Sequence, residues 1–161
     1  MNDIKSAISL FVGILLLGNV CLADDWPQFR GPNRDGKSAE TGLLKKWPEG
    51  GPKQLWCAEG LGIGFSSVAI SNGFLYTTGM IEGEGFIFAF DLAGNLKWKE
   101  SYGPEWTGSY KGTRTTPTVD GNRIYVFSGT GVLVCFEAAS GKKIWEVNTL
   151  ERFEGKTFAG V

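Results

Sequence analysis

The chain has 161 residues with 16 basic and 17 acidic side chains and no histidine, so its formal net charge at pH 7 is -1. That balance offers no strong positive field for holding a nucleic acid or an acidic membrane surface. The lack of histidine excludes Ser-His-Asp and Cys-His catalytic arrangements from this segment, together with the commonest transition-metal ligand. The 24 glycines, about twice the usual share, lie between short runs of Val, Ile, Phe, Tyr and Thr, which is typical of an all-β protein with many turns.

The amino-terminal segment, residues 1–23, predicts a secretory signal. Lys5 precedes an apolar stretch at 7–17, and small residues then lead to Ala23. The apolar stretch is shorter than the roughly 20 residues that span a bilayer, which favours cleavage after Ala23 over a permanent anchor. An uncleaved anchor and a lipoprotein acylated at Cys21 remain as alternatives, although the residue before Cys21 is not the small one that such signals carry. We expect a periplasmic or secreted protein with no membrane span after cleavage.

Residues 24–50 are predicted to form an irregular lead-in to the domain at 51–161. The lead-in has no strand-like alternation, and turn signals interrupt it at Gly31-Pro32 and Asp35-Gly36. We expect it to cover one end of the folded domain. Its two arginines, Arg30 and Arg34, are candidates for a binding role.

A hairpin sequence occurs twice in the chain. Residues 67–78 (SVAISNGFLYTT) align with residues 116–127 (TPTVDGNRIYVF), with a turn and a tyrosine at matching places. Downstream, residues 88–98 match residues 135–145, and each copy has a tryptophan four residues after a glycine. The chain is therefore predicted to repeat a unit of two hairpins.

Each repeat is predicted to contain four short strands. A period of 40 to 50 residues with four strands per unit is typical of a β-propeller blade. The predicted strands are 67–71, 74–78, 86–91 and 95–99, then 116–120, 123–127, 132–137 and 143–147. An earlier segment at 51–57 has the last strand and its tryptophan without the three preceding strands, and we interpret it as an orphan outer strand.

The aligned residues resemble the quinoprotein-type propeller repeat, whose motif is A-x-D-x-x-x-G-x-x-x-W. The resemblance covers about residues 51–147, and both copies depart from the motif. The first copy lacks one residue between Asp91 and Gly94, and the second has Cys135 and Glu137 in place of Ala and Asp. The residues that this resemblance implies for packing between blades are Trp56, Ala89, Asp91, Gly94, Trp98, Gly141 and Trp145. Because these tryptophans lie on outer strands, a structural role is preferred to cofactor stacking.

The opening at 25–36 is also similar to that of exported bacterial proteins described as quinone-binding-like propellers. That family includes quinone-dependent alcohol dehydrogenases and a lipoprotein scaffold for outer-membrane protein assembly, so the fold does not choose between catalysis and binding. The fold class implied is an incomplete propeller of four-stranded antiparallel blades, with about two full blades and the orphan strand.

The connection at 99–115 is the candidate ligand-binding segment. It is predicted to be a glycine-rich loop on one face of the propeller, where aromatic and basic side chains suit a protein, sugar or quinone partner. The residues predicted to bind are Trp106, Tyr110, Lys111 and Arg114. A plain covering loop is the alternative.

No catalytic or metal-binding constellation is found in the sequence. The three cysteines form no C-x-x-C pair, and Cys57 and Cys135 are predicted to be unbonded because one blade separates them. We therefore expect a non-catalytic binding or scaffold module. The alternative is part of a dehydrogenase that uses pyrroloquinoline quinone with calcium, its ligands lying in further blades.

The chain is also predicted to form an open arc. The orphan strand at 51–57 would need three inner strands from a longer chain, and an arc leaves apolar blade faces in water. We expect a chain of this length to associate with itself.

Overall fold

The computed structural model describes residues 24–156 and confirms the all-β class. Two four-stranded antiparallel sheets follow each other along the chain, each in the order inner strand to outer strand, and the described residues do not close into a ring. A short helix, α1, follows the second sheet. The first sheet comprises β1 (Ala69–Ser71), β2 (Phe74–Ile81), β3 (Glu84–Asp91) and β4 (Leu96–Pro104); the second comprises β5 (Thr118–Asp120), β6 (Arg123–Phe127), β7 (Val132–Glu137) and β8 (Lys143–Asn148), followed by α1 (Thr149–Arg152).

The first sheet is longer than the sequence predicts. Strands β2 and β3 remain paired as far as Ile81 and Glu84, and the turn between them has positive φ at Glu82 (52°) and Gly83 (88°). Two consecutive positive φ values give the backbone twist that a tight hairpin needs. Strand β4 continues to Pro104, so the first part of the predicted loop at 99–115 is strand.

The two sheets repeat the same register. Ala69 pairs with Tyr76 in the first sheet, as Thr118 pairs with Tyr125 in the second. Ala89 lies opposite Trp98, and Cys135 lies opposite Trp145. A register shift directly follows both Ala89 and Cys135, so the alignment that places Cys135 at the alanine position agrees with the backbone.

The core lies between the two sheets. One face of the first sheet contributes buried Tyr76 and Ile87, and the facing side of the second contributes Val126, Val134 and Phe136. Successive side chains along a strand point to opposite faces of the sheet, so each sheet has a second face that the other sheet does not cover. This packing of consecutive sheets fixes where the connection between β4 and β5 lies.

The lead-in contacts the inner strands of both sheets. Trp26 and Ile70 exchange two backbone hydrogen bonds of 2.8 and 2.9 Å, and Val119 N–H donates to the Pro27 carbonyl at 2.8 Å. Asp25 accepts a hydrogen bond from the Ser71 hydroxyl at 2.7 Å. The lead-in therefore joins the two inner edges.

The orphan strand at 51–57 is not formed as a strand. Residues 51–62 pair with no strand in the structure. The described residues contain no three inner strands beside which this segment could form the outer strand of a sheet. The segment instead covers the free face of the first sheet, where the Trp56 and Phe90 rings stack with centroids 6.1 Å apart.

The predicted signal at 1–23 lies outside the described residues. Within 24–156, we find no helix with the length and apolar character that crossing a bilayer demands.

Candidate functional site

Trp56 and Trp98 make equivalent contacts on the two sheets. Trp56 Nε1–H donates to the Leu92 carbonyl at 3.0 Å, and Trp98 Nε1–H donates to the Ala138 carbonyl at 3.1 Å. Each indole also packs on the glycine of the β-turn that supplies its acceptor carbonyl. A Cβ at Gly94 would stand 2.6 Å from the Trp56 ring, and one at Gly141 would stand 2.6 Å from the Trp98 ring. Glycine is required at both turns because φ is positive (88° and 74°) and the ring leaves no space.

Trp145 occupies the same position on β8 as Trp98 does on β4, but it differs in burial. The Trp145 side chain is 37% exposed, whereas Trp98 is half-buried. No third turn stands against it within residues 24–156. The equivalent tyrosines differ in the same way, since Tyr76 is 2% exposed and Tyr125 is only half-buried.

The acidic residues of these turns are bonded within their own turns. Asp91 Oδ1 accepts hydrogen bonds from the Ala93 and Asn95 N–H groups at 3.0 and 2.9 Å. A hydrogen bond from the Asn95 side-chain amide, together with these two backbone bonds, lowers the pKa of the Asp91 carboxyl. Glu137 accepts a hydrogen bond from the Ser140 hydroxyl. The two carboxylates stabilise turns and do not form an acid pair.

The candidate binding segment begins after β4 and crosses to β5. Two of its four predicted residues organise the loop. Trp106 Nε1–H donates to the Ser109 carbonyl at 2.9 Å, and Arg114 Nη2 donates to the carbonyls of Ser109 and Tyr110 at 2.7 and 2.8 Å. Trp106 is half-buried, with Gly108 and Gly129 against its ring and Cβ.

The other two predicted residues are presented to solvent. Tyr110 is 80% exposed, and Lys111 beside it is also exposed. Tyr110 has a φ of 50°, a backbone conformation that is uncommon for a residue with a side chain and costs about 1 kcal/mol or more. The Arg114 bond to the Tyr110 carbonyl holds this conformation. The four residues thus lie in one loop, two of them as framework and two as exposed surface.

A buried carboxylate that the sequence analysis missed anchors this loop. Glu105 is 4% exposed, and its two oxygens accept hydrogen bonds from the Tyr102 hydroxyl (2.8 Å), the Trp106 N–H (2.7 Å) and the Gly129 N–H (2.6 Å). Burial, with the nearby Glu105 charge, strongly raises the pKa of Tyr102. Because Gly129 lies in the β6–β7 turn, Glu105 ties the loop to the second sheet. In the sequence, the one signal for this anchoring role of Glu105 is its position between the aromatic residues Tyr102 and Trp106.

The cysteines and the acidic residues provide no metal site in the described part. Cys57 is free and exposed, whereas Cys135 is free and buried on β7, and its burial raises the pKa of its thiol. No three His, Cys, Asp or Glu side chains come together as a metal ion would require in residues 24–156.

Consecutive four-stranded sheets that are joined by tryptophan contacts define a protein with propeller blades. Residues 83–160 match the family model described as outer membrane protein assembly factor BamB (PQQ_2). The resemblance to the quinoprotein-type repeat is thereby confirmed over these residues. A search of curated proteins gave no match.

Solved structures of quinoproteins also match. A europium-containing methanol dehydrogenase matches with 13% identity and a TM-score of 0.42 over 55% of this chain and 16% of the dehydrogenase. The quinohemoprotein alcohol dehydrogenase ADHIIG from Pseudomonas putida HK5 matches with 20% identity and a TM-score of 0.43 over 57% of this chain and 14% of that one. The chain therefore spans less than a fifth of either enzyme.

Proposed function

We propose that this PQQ-like repeat chain is part of an exported, non-catalytic binding or scaffold protein, with the β4–β5 connection as its contact surface. The observation that carries the proposal is Tyr110, a large aromatic side chain held 80% exposed on an internally bonded loop. Tyrosine, tryptophan and arginine are the residues that contribute most to protein–protein affinity.

The loop is organised before any partner arrives. Gly112 N–H donates to the Trp106 carbonyl at 3.0 Å, which closes the loop across the exposed tip. The Arg114 bonds to two carbonyls and the Glu105 bonds to three donors hold its two ends. A preorganised loop loses little conformational entropy on binding, so its exposed aromatic ring can contribute to affinity. Lys111 adds a positive charge beside the ring, which favours a partner surface with acidic groups.

The proposal is tested by affinity capture from the envelope fraction of the source cells, followed by titration with the purified captured protein. The variants are Tyr110→Ala and Lys111→Glu, with Leu92→Ala as the control because Leu92 is exposed at the opposite end of the first sheet. We expect the wild type and the control to bind equally and Tyr110→Ala to bind about tenfold more weakly or worse. Binding that neither loop variant changes would overturn the proposal.

We also propose export, with residues 1–23 removed, 24–50 as the lead-in and 51–161 as part of the propeller domain. The proposal rests on the Lys5 and apolar 7–17 pattern, which lies outside the described residues. Fractionation of expressing cells and amino-terminal sequencing test it. We expect a mature chain that begins at Asp24 in the periplasm or medium, and a full-length chain in the cytoplasm would contradict export.

The rival function, a dehydrogenase using pyrroloquinoline quinone with calcium, has no support from the described residues. A calcium ion needs six to eight oxygen ligands, and residues 24–156 bring no three acidic side chains together. The rival places its calcium ligands in further blades, so we derive no catalytic step through that cofactor. Dye-linked alcohol oxidation after adding quinone and calcium to the whole protein would favour the rival.

A further inference from the structure

A groove of about 390 Å³ lies at the seam between the two sheets. Phe74 and Tyr76 of β2 line it from the first sheet, and the Ala138–Ala139 turn between β7 and β8 lines it from the second. Both sheets that form this groove are present, so its walls are already packed against each other as consecutive blades. The groove lies at the end of the sheets opposite to the loop that Glu105 anchors.

The floor of the groove is aromatic. The Phe74 and Tyr76 rings stack with their centroids 6.1 Å apart, and the Tyr76 ring lies 5.9 Å from that of Trp98. Tyr76 is buried, whereas Phe74 at the start of β2 is half-buried, so the Phe74 ring provides the accessible apolar surface. The Tyr76 hydroxyl and the Trp98 Nε1–H both donate to the Ala138 carbonyl, at 3.4 and 3.1 Å, and these bonds hold the two walls together.

Two exposed asparagine side chains line the rim, one from each blade. Asn72 lies in the β1–β2 turn, and Asn122 lies in the equivalent β5–β6 turn. The Asn72 N–H donates to the Asp25 carboxylate at 3.2 Å, and Asn72 Nδ2 donates to the Ser71 hydroxyl at 3.2 Å. The second Nδ2 proton and the Oδ1 acceptor of Asn72 therefore remain for a ligand.

The Asn122 side chain is also available. Its backbone carbonyl accepts the Ala138 N–H at 2.9 Å, which fixes the turn. Its carboxamide makes no hydrogen bond to any residue within 24–156. A carboxamide has one acceptor oxygen and two donor protons, so it can pair with another amide through two hydrogen bonds.

The groove carries no charge of its own. In the part of the chain that the structure describes, its lining side chains are aromatic rings, alanine methyl groups and the two carboxamides. An ionised ligand group would lose its hydration there without gaining a partner of opposite charge. The lining therefore favours a neutral ligand that combines an apolar face with an amide.

We propose that this groove binds a neutral saccharide that carries acetamido groups. The apolar face of the sugar ring packs on Phe74, and the acetamido N–H and carbonyl pair with the Asn122 carboxamide. The acetamido methyl group lies against Ala138 and Ala139, and Asn72 binds a ring hydroxyl. This site is independent of the function proposed for Tyr110.

Calorimetric titration of the whole protein with N,N′-diacetylchitobiose tests the proposal. Cellobiose is the matched ligand, because it has the same linkage and lacks the acetamido groups. We expect saturable millimolar binding of N,N′-diacetylchitobiose and binding of cellobiose that is about tenfold weaker, because the amide pairing is lost. Equal binding of the two disaccharides, or no saturable binding of N,N′-diacetylchitobiose, would overturn the proposal.

Variants locate the site. Asn122→Ala should weaken binding of N,N′-diacetylchitobiose about tenfold, and Phe74→Leu, which keeps an apolar side chain in the fold, should weaken it about fivefold. Asn33→Ala is the matched control, because Asn33 is an exposed asparagine that does not line the groove. Tyr110→Ala should also bind the sugar as the wild type does, which separates this site from the proposed partner surface. Binding that neither groove variant weakens would contradict the assignment.

A second measurement distinguishes the sugar from a peptide. Saturation-transfer NMR on the wild type should give the strongest transfer to the acetamido methyl protons, and Phe74→Leu should reduce the transfer to the ring protons. The competing occupant is a peptide, for which N-acetylalanine amide is the probe. Displacement of the disaccharide by this probe at a lower concentration than its own would overturn the saccharide proposal.

Discussion

The most buried acidic side chain of the described residues, Glu105, joins the end of β4 to the turn between β6 and β7. It accepts hydrogen bonds from Tyr102 at the end of β4 and from Gly129 between β6 and β7. The sequence could not show the bond to Gly129, because this N–H group meets Glu105 only when the two sheets pack. The sequence also predicts Tyr102 to lie in the connection at 99–115, because the contacts that bury its ring, with Gly85 and with the core cluster, form only in the folded chain.

Replacing Glu105 with Ala should destabilise the fold by about 3 kcal/mol, because the Gly129 and Trp106 N–H groups and the Tyr102 hydroxyl lose their acceptor in a buried place. Urea unfolding measures this free energy. Glu100→Gln, at an exposed site on β4, should change this free energy by less than about 0.5 kcal/mol. Equal effects of the two substitutions would contradict the anchoring role.

Because Tyr76 and Tyr102 are buried, we expect the folded protein to lose stability at alkaline pH. Burial, and to a lesser degree the Asp25 charge, raises the pKa of Tyr76 to about 12, and that of Tyr102 is raised as well. Because the unfolded chain ionises near pH 10 and the folded chain retains its protons, the free energy of unfolding should fall as pH rises from about 10 to about 12. Urea midpoints across this range measure it.

In Tyr76→Phe the alkaline fall should be shallower, because this side chain no longer ionises in the unfolded chain. The substitution removes only a 3.4 Å hydrogen bond to the Ala138 carbonyl, so the fold should survive. An unchanged slope between pH 10 and 12 would argue that Tyr76 is not shielded from water.

At the scale of elements, the sequence predicted all eight strands because their alternation and turn residues act locally. It underestimated the first sheet because Gly79 and Gly85 resemble loop residues. A Cβ at Gly79 would overlap the Leu61 carbonyl oxygen, and one at Gly85 would overlap the Tyr102 ring. These glycines permit close packing within strands, which only tertiary contacts reveal.

Because Trp98 lies between the two sheets and Trp145 does not, we expect the two tryptophans to contribute differently to the free energy of unfolding. Trp98→Ala should cost about 3 to 5 kcal/mol, since the ring packs on Gly141 and its N–H bonds to Ala138. Trp145→Ala should cost less than half as much, because the ring is partly in water. Denaturant unfolding of the two variants compares them directly, and equal losses would mean that the Trp145 face is covered in solution.

At the scale of the whole molecule, the described residues leave one face of the second sheet uncovered. Trp145 and Phe127 contribute exposed apolar surface there, and side chains of this kind favour association. We expect sedimentation to show concentration-dependent self-association that Trp145→Lys reduces. A monomer at every accessible concentration, for both proteins, would contradict this.

The two sheets are consecutive blades, and the tryptophan that joins them is Trp98 and not Trp145. Hydrogen exchange of the indole N–H groups, followed by NMR and assigned with Trp98→Phe and Trp145→Phe, tests it most directly. We expect slow exchange for the Trp98 indole N–H, which is bonded to the Ala138 carbonyl at 3.1 Å, and fast exchange for that of Trp145. Fast exchange at Trp98, or protection of Trp145 equal to that of Trp98 in the monomer, would contradict it.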